Sequence, residues 1–144
     1  MSIGIVGLGY VGLPLAVSFA EAGERVVGVD VDHGRVTALS AGRSPIEDIT
    51  DGRLRSVLDS CRFTTRAVEL HETEAILVCV PTPLTRNREP DLGPLLAAAR
   101  ALADVVRRDQ RAFVAQIALV QNRPALRLRG LAPDEPVDLV VALV

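Results

Sequence analysis

Three glycines with the spacing G-x-G-x-x-G interrupt the apolar start of the chain: Gly7, Gly9 and Gly12. The residues before them, 2–6, read SIGIV, a short apolar run typical of a buried parallel strand. After them, apolar positions recur at helical spacing from residue 10 to residue 22, and Gly23 is suited to end that helix. A sharp turn that leads from a buried strand straight into a helix favours a fold built from βαβ units.

Strands and helices continue to alternate after this opening. Residues 25–30 (RVVGVD) and 75–80 (AILVCV) predict two more buried strands. Helical patterns cover residues 33–41, 51–60 and about 91–107. Because βαβ crossovers are right-handed and cover a parallel sheet with helices, we predict an α/β fold: a Rossmann-type doubly wound parallel sheet with helices on both faces.

The composition fits one globular domain and restricts its partners. The chain has 144 residues, enough to bury a core, and 49% of them are hydrophobic. A formal net charge of −2 gives no electrostatic reason to expect binding to nucleic acid or to an anionic membrane. The apolar runs are too short to span a bilayer, and the first lacks the basic residues of a secretion signal, so we expect a cytoplasmic protein.

The glycine spacing has a specific chemical use. The first glycine allows a sharp turn, the second lets a pyrophosphate approach the backbone, and the third lets the helix pack closely on the strand. The helix then directs free N–H groups and the positive end of its dipole at the phosphates. Asp30 ends the second predicted strand, 23 residues after Gly7. This offset is close to that of an acid that binds the adenosine ribose.

The residues therefore predict NAD as the cofactor. A carboxylate at Asp30 accepts hydrogen bonds from both ribose hydroxyls and would repel the 2′-phosphate of NADP. FAD and S-adenosylmethionine sites use related turns and remain alternatives at this stage. A glycine turn that only connects a strand to a helix is a further alternative.

Several segments resemble one known family. GIVGLGYVGLPLA, GVDVD and CVPTPL are similar to the UDP-glucose/GDP-mannose dehydrogenase family, and SPIEDI, LRSVL, RFTT and REPDL extend the similarity. The resemblance runs from about residue 2 to about residue 108. Within the family, the segments are most similar to the branch that oxidises UDP-N-acetylated hexosamines, such as the UDP-N-acetylglucosamine 6-dehydrogenases.

The resemblance implies a set of cofactor-binding positions: Gly7, Gly9, Tyr10, Val11, Gly12, Asp30, Arg35 and Thr82. The backbone of residues 9–11 would cradle the pyrophosphate, and Asp30 would hold the adenosine ribose. Arg35 would lie beside that ribose, although a solvated arginine on a helix face is an equal alternative. Thr82 would approach the inner part of the cofactor at the carboxyl end of its strand, unless Pro81 and Pro83 only end that strand.

The resemblance does not extend to the catalytic residues of the family. There, a cysteine of a later domain forms a covalent intermediate at C6 of the sugar, and a lysine and an acidic residue assist proton transfer. This chain has no lysine, and neither Cys61 nor Cys79 matches the family's cysteine motif. The family's E-S-T-x-x-P-G segment is replaced by RAFVAQIALVQNRPALRLRG. We therefore assign no catalytic residue, and no metal ligand because the two histidines lack ligand spacing.

We divide the chain into an NAD-binding domain at residues 1–108 and a divergent segment at residues 109–144. The second segment either completes the sheet, with strands at 112–120 and 137–144, or is partly disordered. The missing motifs predict a truncated or rearranged gene, or a half-subunit that another chain completes.

The predicted function is that of the NAD-binding domain of an NAD-dependent UDP-sugar 6-dehydrogenase, which oxidises a C6 alcohol to a carboxylate. We expect the chain to be inactive alone because the substrate and catalytic domain is missing. NAD is the expected partner, and a UDP-sugar only if a substrate domain completes the protein; the sequence leaves the oligomeric state open. The alternatives are a non-catalytic NAD-binding module or partner subunit of a full-length dehydrogenase, and a degenerate product that barely folds.

Overall fold

Parallel strands form the centre of the molecule in the computed structural model, which describes residues 1–83, 86, 91–107 and 110 and the backbone of 111–116 and 139–143. The strands within these residues are β1 (Ser2–Val6), β2 (Arg25–Val29), β3 (Cys61–Thr64), β4 (Ala75–Val78), β5 (Arg111–Gln116) and β6 (Leu139–Leu143). They pair in parallel in the order β3-β2-β1-β4-β5-β6. The chain therefore builds the sheet outward from β1 in both directions, and the predicted doubly wound sheet is confirmed.

Four α-helices lie within the described residues: α1 (Gly12–Glu21), α2 (His33–Ser40), α3 (Asp51–Arg55) and α4 (Gly93–Ala103). Helix α1 ends as predicted, because Gly23 adopts a φ of +88° and its N–H donates to the carbonyl of Ala20 at 3.0 Å. The single helix predicted at 51–60 is wrong. Helix α3 stops at Arg55, and a separate 3-10 turn, Leu58–Ser60, leads into β3.

Helices cover both faces of the sheet. Successive residues of a strand point to opposite faces, so each strand contributes to two cores. One core combines β1 and β2 with α1, α2 and α3, and its fully buried members include Ile3, Ile5, Leu13, Val17, Leu39 and Leu54. The other core combines β2 and β4 with α4 and a 3-10 segment at Ala67–Glu72, through Val29, Leu70, Ile76, Val78, Leu95 and Leu102. The two cores confirm the predicted layers.

The last two strands continue the sheet beyond β4. Strand β5 pairs with β4, and β6 pairs with β5, over registers that run from Ala75↔Arg111 to Gln116↔Leu143. The rest of the strands predicted at 112–120 and 137–144 lies outside the described residues, as does the segment between them. The division of the chain at residue 108 stays a prediction. No helix in the described part of the chain has the length and apolar character needed to cross a membrane.

Candidate functional site

The glycine turn lies at the carboxyl edge of the sheet, between β1 and α1. Gly7 has a φ of +91°, and a Cβ built there would lie 2.7 Å from the carbonyl oxygen of Cys79. A Cβ at Gly12 would lie 1.7 Å from the carbonyl oxygen of Gly7. Real Cβ atoms do not approach backbone this closely, so both positions require glycine for the fold itself.

Gly9 is different, because the surrounding protein does not explain it. No described atom lies within 4 Å of a Cβ built at Gly9, and its φ is not in the left-handed region. Helix α1 begins just after it without a side-chain cap, because its N-cap residue is Val11. Among the described residues, the N–H groups of Gly9, Tyr10 and Val11 have no hydrogen-bond acceptor. Open space, free donors and a helix N-terminus together suit a bound anion.

Asp30 lies beside this turn and is almost fully buried, with 5% of its surface exposed. The backbone N–H of Leu8 donates to its Oδ2 at 2.8 Å, and the N–H of Asp32 donates to its Oδ1 at 2.9 Å. Burial alone would raise the pKa of Asp30, but these hydrogen bonds and the Arg35 guanidinium outweigh it and hold the pKa below its ordinary value. The group is therefore a carboxylate at neutral pH, with acceptor oxygens only.

Helix α2 brings Arg35 to the same carboxylate. Asp32 caps this helix, and its Oδ1 accepts a hydrogen bond from the N–H of Arg35 at 3.0 Å. Arg35 thus lies in the first helical turn, where a side chain leans toward the helix N-terminus. Its Nη1 donates to Oδ2 of Asp30 at 2.9 Å, and 34% of its side chain is exposed. Arg35 therefore forms an ion pair with Asp30, and its expected position beside the adenosine ribose stays a prediction.

The end of β4 adjoins the glycine turn from the other side. The N–H of Cys79 donates to the carbonyl of Val6 at 2.7 Å, and the Cys79 carbonyl lies beneath Gly7. Thr82 follows in the chain and is partly buried, without a hydrogen bond to any other described residue. The structure thus brings the glycine turn, Asp30 and Arg35 into direct contact, whereas it connects Thr82 to them only through the end of β4.

Three further residues belong to this edge and were not predicted. Leu8 contributes the buried N–H that holds the carboxylate of Asp30, and Asp32 caps the helix that carries Arg35. An aspartate three residues before Arg35 was a readable capping signal, whereas a backbone donor leaves no trace in the sequence. Val31 is 98% exposed although it is apolar.

The two cysteines have the properties of buried structural thiols. Cys79 is buried and Cys61 is half-buried, and burial raises the pKa of each to about 11. Both thiols are therefore protonated at neutral pH and are poor nucleophiles. Among the described residues, no group of three His, Cys, Asp or Glu side chains could hold a metal ion.

Comparison with known proteins assigns the chain to a family. Residues 1–119 match the model of the UDP-glucose/GDP-mannose dehydrogenase family, NAD binding domain. The chain is 34% identical to a UDP-N-acetyl-D-glucosamine 6-dehydrogenase of Pseudomonas aeruginosa over 108 residues. This alignment covers 75% of this chain and 25% of the relative. It is also 35% identical to a UDP-glucose 6-dehydrogenase of Haloferax volcanii over 138 residues. This alignment covers 94% of this chain and 32% of the relative.

A solved structure supports the same assignment. The UDP-D-ManNAc dehydrogenase of Pyrococcus horikoshii superposes with a TM-score of 0.75 at 35% sequence identity, over 81% of this chain and 28% of that one. The chain thus spans about a quarter to a third of the length of these relatives. The resemblance noted from the sequence is confirmed: the chain belongs to the UDP-glucose/GDP-mannose dehydrogenase family and carries its NAD-binding domain.

Proposed function

We propose that the glycine turn binds the pyrophosphate of NAD and that the space above Gly9 is where it lies. This space carries the proposal, because Gly7 and Gly12 are required by neighbouring backbone, whereas a Cβ built at Gly9 would meet no described atom within 4 Å. Pyrophosphate oxygens there would accept hydrogen bonds from the N–H groups of Tyr10 and Val11. The positive end of the α1 dipole adds to this attraction.

The neighbouring groups suit the rest of the dinucleotide. Asp30 offers a buried carboxylate for the hydroxyls of the adenosine ribose, and Arg35 lies against it. Val31, apolar and 98% exposed next to Asp30, offers a surface on which an adenine ring could pack. We assign Thr82 to the nicotinamide half, because ligands of such sheets lie outside the carboxyl ends of the strands.

We further propose that this domain serves the oxidation of a UDP-sugar, with a UDP-N-acetylhexosamine as the first choice. The support is the identity with relatives named UDP-N-acetyl-D-glucosamine 6-dehydrogenase and UDP-N-acetyl-D-mannosamine dehydrogenase. The residues of this chain would hold and orient NAD, which when bound would supply the acceptor for the hydride that leaves C6 of the sugar. A substrate domain would have to supply the sugar site and the nucleophile. We also propose that the protein acts in the cytoplasm.

Titration calorimetry with NAD and NADP tests the cofactor site through Asp30→Ala. We expect wild type to bind NAD more tightly than NADP, and the variant to lose about 1–3 kcal/mol of NAD binding free energy, as for lost hydrogen bonds to a charged acceptor. Asp59→Ala is the matched control: it removes an exposed carboxylate from the turn that leads into the amino end of β3, at the opposite edge of the sheet from the glycine turn. Equal NAD affinity of Asp30→Ala and wild type would contradict the assignment.

An activity measurement tests whether the chain oxidises a UDP-sugar without a substrate domain. We expect no NADH formation from NAD with UDP-N-acetylglucosamine or UDP-glucose, because both thiols are held protonated by burial and no lysine is present. A full-length relative, assayed in parallel, shows that the assay detects the reaction. A clear increase in NADH absorbance with the purified chain would overturn the proposed inactivity.

A further inference from the structure

The carboxylate of Asp30 is nearly saturated with hydrogen bonds inside the protein. A carboxylate offers about four acceptor sites, two on each oxygen. Oδ2 accepts from the N–H of Leu8 and from Nη1 of Arg35, and Oδ1 accepts from the N–H of Asp32. About one acceptor site remains. A ribose whose two hydroxyls both donate to this carboxylate needs two, so one of the three present donors must leave.

Arg35 is the donor that can leave. The N–H of Leu8 is buried within the glycine turn, and the N–H of Asp32 closes the turn that leads into α2, so both are fixed by the backbone. The Arg35 guanidinium is at the end of a long flexible side chain, of which 34% is exposed, and it can be solvated elsewhere. Rotating this side chain disturbs neither the turn nor the helix.

We propose that Arg35 occupies the ribose subsite of the free protein and is displaced from Asp30 when the adenosine ribose binds. The inference rests on the proposed function, because it takes Asp30 as the ribose acceptor. Arg35 keeps the buried carboxylate paired while the site is empty. Part of the binding energy of the ribose hydroxyls is used to break the ion pair, so the hydroxyls contribute less to affinity than their contacts alone would give.

The test compares two probes that differ only in these hydroxyls, ADP and 2′,3′-dideoxy-ADP. The measured quantity is the ratio of their dissociation constants, dideoxy over normal, by calorimetry. In Arg35→Met the ribose hydroxyls can donate to Asp30 without first breaking its ion pair with Arg35. The hydroxyls then contribute more to affinity, and we expect the ratio to rise about three- to tenfold over wild type, the effect of about one hydrogen bond. Arg35→Gln serves as a second variant if Arg35→Met melts at a lower temperature than the titration allows.

Arg53→Met is the matched control. Arg53 also forms an ion pair on a helix, with Glu21 at 2.7 Å, but at the opposite end of α1 from the glycine turn. Its removal changes the net charge equally, and the ratio should stay at the wild-type value. A ratio that is unchanged or lower in Arg35→Met overturns the displacement, because Arg35 then remains on Asp30 or assists the ribose directly. Failure of wild type to bind both ADP and NAD overturns the proposed cofactor site itself, and the displacement with it.

Discussion

Replacing Gly9 by alanine is expected to abolish high-affinity NAD binding while leaving the fold intact. The added methyl group meets no described atom in the free protein, but it would fill the space assigned to the pyrophosphate. Loss of two hydrogen bonds between phosphate oxygens and the turn would weaken NAD by about 3 kcal/mol or more, on the order of a hundredfold. Calorimetric titration measures the affinity, and thermal unfolding should give a Tm within about 2 °C of wild type.

Gly52→Ala is the control for this change. Gly52 also has no described atom within 4 Å of a built Cβ and is outside the left-handed region, but it lies in α3, away from the turn. Its substitution should leave NAD affinity unchanged. If Gly9→Ala binds NAD as wild type does, the pyrophosphate does not lie above Gly9, and the proposed orientation of the cofactor fails.

Replacing Gly12 by alanine is expected to damage the fold rather than only the site. The new Cβ would overlap the carbonyl oxygen of Gly7, which is backbone and cannot move as a side chain does. Overpacking of this kind costs about 3 kcal/mol, and a Tm lower by roughly 6–12 °C should follow for a chain of this size. Thermal unfolding followed by circular dichroism measures this loss.

Gly9→Ala is the natural comparison for Gly12→Ala, since the same atom is added three residues away in open space. The two variants should separate binding from stability. Gly9→Ala should lose NAD affinity and keep the wild-type Tm, whereas Gly12→Ala should have a lower Tm. A wild-type Tm for Gly12→Ala would show that α1 can shift away from β1 at little cost. The close packing of turn and helix would then not be what fixes the entry of α1.

The sequence predicted those parts of the fold that depend on local patterns. The apolar runs at residues 2–6 and 25–30, with a glycine turn after the first and helical patterns between strands, predicted a doubly wound parallel sheet. The offset between Gly7 and Asp30 predicted that Asp30 is the acid that binds the adenosine ribose, and this role stays a prediction. In the structure, Asp30 lies beside the glycine turn and accepts a hydrogen bond from the N–H of Leu8.

Other features depend on tertiary contacts that a sequence does not display. The glycines of the motif read alike, yet Gly7 and Gly12 are packed against backbone while Gly9 is open. The ion pair between Arg35 and Asp30 depends on the direction in which α2 leaves the end of β2, and the Asp32 cap fixes that direction. The interruption after α3 was equally hidden, since a 3-10 bond from the N–H of Ser60 to the carbonyl of Val57 replaces the expected helical one.

The position of β1 in the middle of the sheet has a consequence for synthesis on the ribosome. Strand β1 emerges before both of its partners, because it pairs with β2 on one side and with β4 on the other. Its second edge therefore has no partner until Ala75–Val78 has been translated. Through that interval the nascent chain presents an apolar strand with unpaired backbone groups, the kind of surface that holdase chaperones bind and that misassembles when they are scarce.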